Sequence, residues 1–110
     1  MFLSFTILAS VASGAANASQ AMEQFEFLSI LSVANEKCVG QRYNQASIDG
    51  HLYRLGMAEG WEKDKIEAEI VSEKERSVEK YLANKNRYCA DVQASRDDQS
   101  SVLKNMKIID

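Results

Sequence analysis

His51 is the single histidine of the chain, and Asp49 and Tyr53 flank it. A histidine that works as a general base needs a proton donor at one ring nitrogen and an orienting group at the other. Asp49 and Tyr53 each stand two positions away, and i±2 neighbours on a helix do not face one another. The triplet therefore reads as a structural or surface histidine. Close carboxylates recur at Glu67/Glu69, Glu73/Glu75 and Asp97/Asp98. Such pairs can bind metal or move protons, but on charged helical stretches they read as solvated faces. No H-E-x-x-H, G-x-S-x-G, phosphate-binding glycine loop or zinc-ligand spacing occurs. The expectation is a protein that is not an enzyme, with no cofactor and no metal; a small hydrolase or metal-dependent enzyme using His51 with nearby carboxylates is the alternative.

The remaining residues with chemistry are Cys38 and Cys89. Neither belongs to a C-x-x-C motif or has a histidine neighbour, which argues against a metal or redox site. Their meaning depends on compartment. Residues 1–18 carry no ionisable side chain, Phe2 to Ala12 is an apolar run broken by Ser and Thr, and Ala16-Asn17-Ala18 fits an A-x-A cleavage site. The run is shorter than the roughly 20 residues that span a bilayer. Residues 1–18 read as a secretory signal peptide, 19–110 as one helical domain, and the location as periplasmic or secreted, with no stable membrane insertion after cleavage. In that compartment two cysteines imply a Cys38–Cys89 disulfide, closing a loop of about 50 residues for about 4 kcal/mol.

Elements must bring those cysteines together. Met22 to Cys38 reads as the first helix, with Phe27, Leu31, Ala34 and Cys38 on one face. It is the most apolar stretch after the leader and is expected at the centre of the core. Gly40 is the stop signal, and Asn44 or Ser47 the next cap. Ala46 to Glu59 reads as the second helix, with a stripe of Ile48, Leu52 and Leu55 edged by Tyr53 and Met57. Gly60 ends it.

Gly60 to Val92 is charged, rich in Ala, Glu, Lys and Arg, and free of Pro. It reads as one long helix from Glu62, with Trp61 and Ile66 spaced as a hydrophobic staple. Two stripes run along it, Val71/Val78/Leu82/Cys89/Val92 and Ile66/Ile70/Ser77/Tyr81/Tyr88. They adjoin, so both are expected on the buried face. Straight, such a helix would be about 46 Å long, against a radius of gyration of roughly 12 Å for a domain of this size. It must overhang or bend, and two places could bend: Ser72-Glu73-Lys74-Glu75, which has the capping-box pattern of a helix start, and Asn84-Lys85-Asn86, the weakest helix-forming point, where a kink in one long helix is favoured. Gln93 to Ser101 reads as a polar turn. Val102 to Ile109 reads as a short helix capped at Ser100 or Ser101, either docked on the core or a mobile tail over 99–110.

The fold class is thus all-α: a small antiparallel bundle of three helices plus a short C-terminal helix, with one disulfide. The layout is similar to that of the small one-disulfide helical proteins of the periplasm, acid-stress chaperones among them, in architecture and not in any motif. The net charge of −3 argues against nucleic-acid binding. The expected function is to bind a protein partner in the bacterial envelope, as an inhibitor, an immunity-type protein or a chaperone. Trp61, Tyr53, Val102, Met106 and Ile109 are the candidate partner surface. An envelope structural component without a discrete ligand is the blander alternative.

Overall fold

The computed structural model describes residues 18–110. All but the last residue of the expected leader lie outside them. Five helices follow in order: α1 (Ala18–Lys37), α2 (Gln45–Ala58), α3 (Lys63–Ala83), α4 (Lys85–Asp98) and α5 (Ser100–Asn105), with no strand among the described residues. The expected all-α bundle is what is found.

α1 is the hub, packing against α2, α3 and α4. From Phe27 to Ala34 every residue is buried, because the helix is enclosed on several sides rather than along one stripe. Its two buried serines are accommodated by hydrogen bonds. Ser29 donates to the Phe25 carbonyl one turn back at 3.0 Å, and Ser32 accepts from Gln45 Nε2 at 2.8 Å.

The turns follow the local chemistry. Gly40 takes φ +84°, a left-handed conformation that costs a Cβ-bearing residue steric energy. Asn44 caps α2 by accepting from the Ser47 N–H. α2 ends in a Schellman motif with Gly60 at φ +80°: Trp61 N–H donates to the Gly56 carbonyl and Gly60 N–H to that of Met57, each at 3.0 Å. That motif delivers Trp61 to a fixed place, directly before the Glu62 cap of α3. Its ring meets Phe25 edge-on, with centroids 5.8 Å apart.

Gly56 is the close contact between α2 and α3. A Cβ there would stand 2.5 Å from Ile66 Cγ1, 2.8 Å from its Cδ1 and 3.3 Å from Trp61 Cε3. Gly56→Ala is therefore expected to destabilise by about 1–2 kcal/mol, the overpacking cost exceeding the gain in helix propensity. Gly50→Ala, which meets only the Arg54 side chain at 3.6 Å, should stabilise by up to about 1 kcal/mol. Urea unfolding of the two variants tests this reversal of sign.

The run expected as one long kinked helix is instead broken. Asn84 stands in extended conformation, φ −161° and ψ 92°, as the C-cap of α3 and the N-cap of α4. Its side chain accepts from the Arg87 N–H at 3.1 Å. Asparagine competes for backbone hydrogen bonds outside the helix, so the weak point becomes a corner. A helix continued to Val92 would exceed the longest dimension of the molecule, 36 Å. Folding back brings Tyr88 against Tyr81, ring centroids 5.7 Å apart, and Cys89 to Cys38, with S–S 2.09 Å and Cα–Cα 5.6 Å. The expected polar turn from Gln93 is helical as far as Asp98, with Val92 and Ser95 on its buried side.

The C-terminal segment lies on the core. Leu103 and Ile108 are fully buried, and the Asn44 N–H donates to the Ile108 carbonyl at 2.8 Å. A second Schellman motif ends α5, from Ile108 N–H to Leu103 O and Lys107 N–H to Lys104 O. Its left-handed position is held by Lys107, at φ 62°.

Candidate functional site

Side chains on the inner face of α3 decide what its outer face becomes. Ile66, Glu73 and Ser77 are buried there, with Ile70 and Tyr81 packed at the edge of the core. Ser77 and Tyr88 share a short hydroxyl–hydroxyl hydrogen bond, and the Tyr88 hydroxyl also donates to the Ile30 carbonyl at 3.1 Å. The buried Glu73 pairs with Arg76, and Lys80 reaches Glu26 of α1 at 3.6 Å. The stripe Ile66/Ile70/Ser77/Tyr81 therefore faces the bundle. The other stripe, expected buried with it, lies roughly a third of a turn away. Val71 and Leu82 are 57% and 60% exposed, and Val78 is half-buried at the margin of the core.

The outward stripe forms an open apolar patch on α3, with Val71 and Val78 bordered by Lys74, Glu75 and Glu79. Lys74 and Glu79 flank it on opposite sides. Neither forms an ion pair among the described residues. Met57 is 67% exposed and opens a second cleft of about 380 Å³ between α2 and α3, with Tyr53, Trp61, Lys63 and Ile66. Tyr53 and Trp61 of the expected surface thus meet in one place. Tyr53 donates to Glu67 Oε2 at 2.8 Å, which raises its own pKa. The Lys65 ammonium lies 4.9 Å from the centre of the Trp61 ring.

Val102, Met106 and Ile109 do not join them. All three pack against the hydrophobic core, and Ile109 borders a separate hollow with Arg42, Tyr43 and Arg96. Exposed Val39, Met57, Val71 and Leu82 are the large apolar surface residues that the sequence reading left out or placed inside. The position of Met57 at the edge of the α2 stripe was the available signal. For Val71 and Leu82 none distinguishes outside from inside, because both α3 stripes have helical spacing.

His51 is engaged at both ring nitrogens. Nε2 lies 3.0 Å from the Met106 carbonyl and Nδ1 lies 3.3 Å from Arg54 Nη2. This suits a neutral ring that donates from Nε2 and accepts at Nδ1. It ties α2 to the C-terminal segment and leaves neither nitrogen facing a nucleophile. Asp49 accepts from Gln45 at 2.9 Å, Glu69 pairs with Lys65 at 3.8 Å, and Asp97 accepts from Gln93 at 3.1 Å. Among the described residues no three His, Cys, Asp or Glu side chains gather as metal ligands.

Two buried phenols set an alkaline limit on the fold. The Tyr88 hydroxyl is pushed up to about 12, by burial first, with the Ser77 hydrogen bond acting in the opposite sense. Tyr43 is also pushed up to about 12, by burial first; Arg96 lowers it and Asp97 raises it. An unfolded tyrosine ionises near pH 10. Because the folded values are raised, their contribution is intact below about pH 10 and is lost as pH rises through about 12, on the order of 2 kcal/mol each. Unfolding free energy is expected to fall across that window. In a rapid tyrosinate absorbance titration, Tyr43 and Tyr88 should ionise only as the fold opens.

No protein-family model, curated protein or solved structure matches this chain.

Proposed function

We propose that this chain is a small exported helical protein that binds a protein partner in the bacterial envelope, acting as an inhibitor, an immunity-type protein or a chaperone. The observation that carries the reading is the orientation of α3, which buries Glu73 and Ser77 while Val71 and Leu82 face outward. A helix that keeps polar groups inside and large apolar ones outside has two apolar surfaces to cover, and its own bundle covers one. The outward stripe from Val71 to Leu82 is about 16 Å long, matching some three turns of a partner helix. Lys74 and Glu79 on its two sides call for an acidic and a basic residue on that helix, as in helix-on-helix recognition. The Tyr53/Met57/Trp61 cleft supplies an aromatic contact of the type enriched at interface hot spots. Export is supported by the leader-like N-terminus and by the disulfide. Among the described residues no helix is long and apolar enough to cross a membrane. Engagement of both His51 nitrogens counts against the alternative of an enzyme that uses His51 as its base.

The test is a paired affinity capture from the organism's own envelope fraction. The folded wild-type protein is compared with a Val71→Lys/Leu82→Lys variant of matched circular dichroism. A defined protein retained by the wild type and lost from the variant is expected. The same proteins on both, or none on either, would contradict the reading; the latter is what an envelope structural component would give.

A further inference from the structure

At the opposite side of the sequence's charge balance stands a cluster of cations around the C-terminal segment. Arg42 and Arg96 border one hollow of about 420 Å³, floored by Tyr43, Ile108 and Ile109. Lys104 and Lys107 border a second of about 360 Å³, which shares Asn44, Ile109 and Asp110 with the first. In a protein of net charge −3, four cations meet here against the rim carboxylate of Asp110 and that of Asp97, which is near enough to act on Tyr43. No ion pair engages any of the four among the described residues. Arg96 is held by packing. Its guanidinium lies 5.8 Å from the centre of the Tyr43 ring, and its Nε is buried with no hydrogen-bond partner. A buried guanidinium donor without an acceptor is costly to keep. Tyr43 meets it through the ring face only: its hydroxyl is turned to Gln41, donating to Oε1 at 2.7 Å, and forms no hydrogen bond to Arg96 Nε.

We propose that this hollow is a binding site for an anionic group, a carboxylate or a phosphate, carried on a molecule with an apolar or aromatic part. Arg42 and Arg96 supply planar forks that match either oxyanion. Tyr43, Ile108 and Ile109 receive the apolar part. Lys107 belongs to the site by its placement: it occupies a left-handed position that glycine would hold at lower cost, and there it adds its charge to the shared rim. The site is separate from the outward face of α3, and it stands whether or not that face binds a partner.

The experiment is a heteronuclear NMR titration of the full folded domain with inorganic phosphate, phenyl phosphate and phenylacetate, each at ionic strength matched by chloride. Saturable shifts are expected at Tyr43, Arg96, Ile108 and Ile109, absent with chloride alone, and tighter for phenyl phosphate than for inorganic phosphate. Preference between phenyl phosphate and phenylacetate assigns the oxyanion. Arg42→Gln, at an exposed position, should keep the fold and weaken binding roughly tenfold or more, and Arg96→Gln should do the same. No saturable shift, shifts reproduced by chloride, or affinity unchanged in Arg42→Gln would overturn the proposal.

Discussion

Removing the Cys38–Cys89 bridge, by reduction or by Cys38→Ser/Cys89→Ser, is expected to lower the unfolding free energy by about 4 kcal/mol. The bridge joins positions 51 apart, and closing a loop of that length removes about this much chain entropy from the unfolded state. Single small domains are stable by only about 5–15 kcal/mol, so the loss is a large share of the total. The effect should fall unevenly. α4 meets the rest of the fold through α1, α3 and α5, and its own sequence is highly polar. Without the bridge it keeps Tyr88, Val92 and the Gln41 Nε2 bond to the Cys89 carbonyl at 2.8 Å. Amide exchange in α4 should therefore accelerate more than in α1. Equilibrium urea unfolding with and without reductant measures the total, and exchange locates it.

Phe25→Ala is expected to cost about 3–5 kcal/mol. Phe25 is 1% exposed and meets the edge of Trp61, so it joins the hub helix to the α2–α3 corner. Truncation removes a large buried area and leaves a cavity that the corner, fixed by its Schellman motif, cannot close. Trp61 is the single tryptophan, and its fluorescence should shift to the red in the folded variant, with the urea midpoint lowered. Val71→Ala, on the outward face of the same bundle, should stay within about 0.5 kcal/mol of the wild type.

The contrast between Phe25 and Val71 marks what could be read from the chain. The apolar density between Phe25 and Ala34 announces a central helix, since no wet face is left on it. Gly40, Asn44 and Gly60 announce corners, and each stands where a corner is found, because left-handed φ and side-chain capping are properties of single residues. The long charged run offers two break points; α3 passes unbroken through the capping-box pattern at Ser72 to Glu75, and only Asn84 becomes a break. Its consequence, a full break, depends on the Tyr88 and Cys89 contacts that only a folded-back α4 can make. The rotation of α3 was not legible for a similar reason. Its two stripes have equal claims by spacing, and the choice is made by Tyr88 reaching across to Ser77 and Ile30. The candidate surface was legible in part. Tyr53 and Trp61 meet because the α2–α3 turn is local. Val102, Met106 and Ile109 lie elsewhere, partly buried against the core with the C-terminal segment. Arg42 and Arg96 converge only through tertiary packing, and nothing in their sequence neighbourhoods pairs them.

The outward turn of α3 is the claim on which the functional reading depends. Relaxation of methyl NMR signals by a soluble paramagnetic chelate tests it in the free protein. The methyls of Val71 and Leu82 should broaden clearly, toward the level set by the fully exposed Val39, while those of the buried Ile66, Ile48 and Leu52 stay sharp. Val71 and Leu82 methyls as protected as that of Ile66 would mean that the stripe lies inside, and the proposed docking face would not exist.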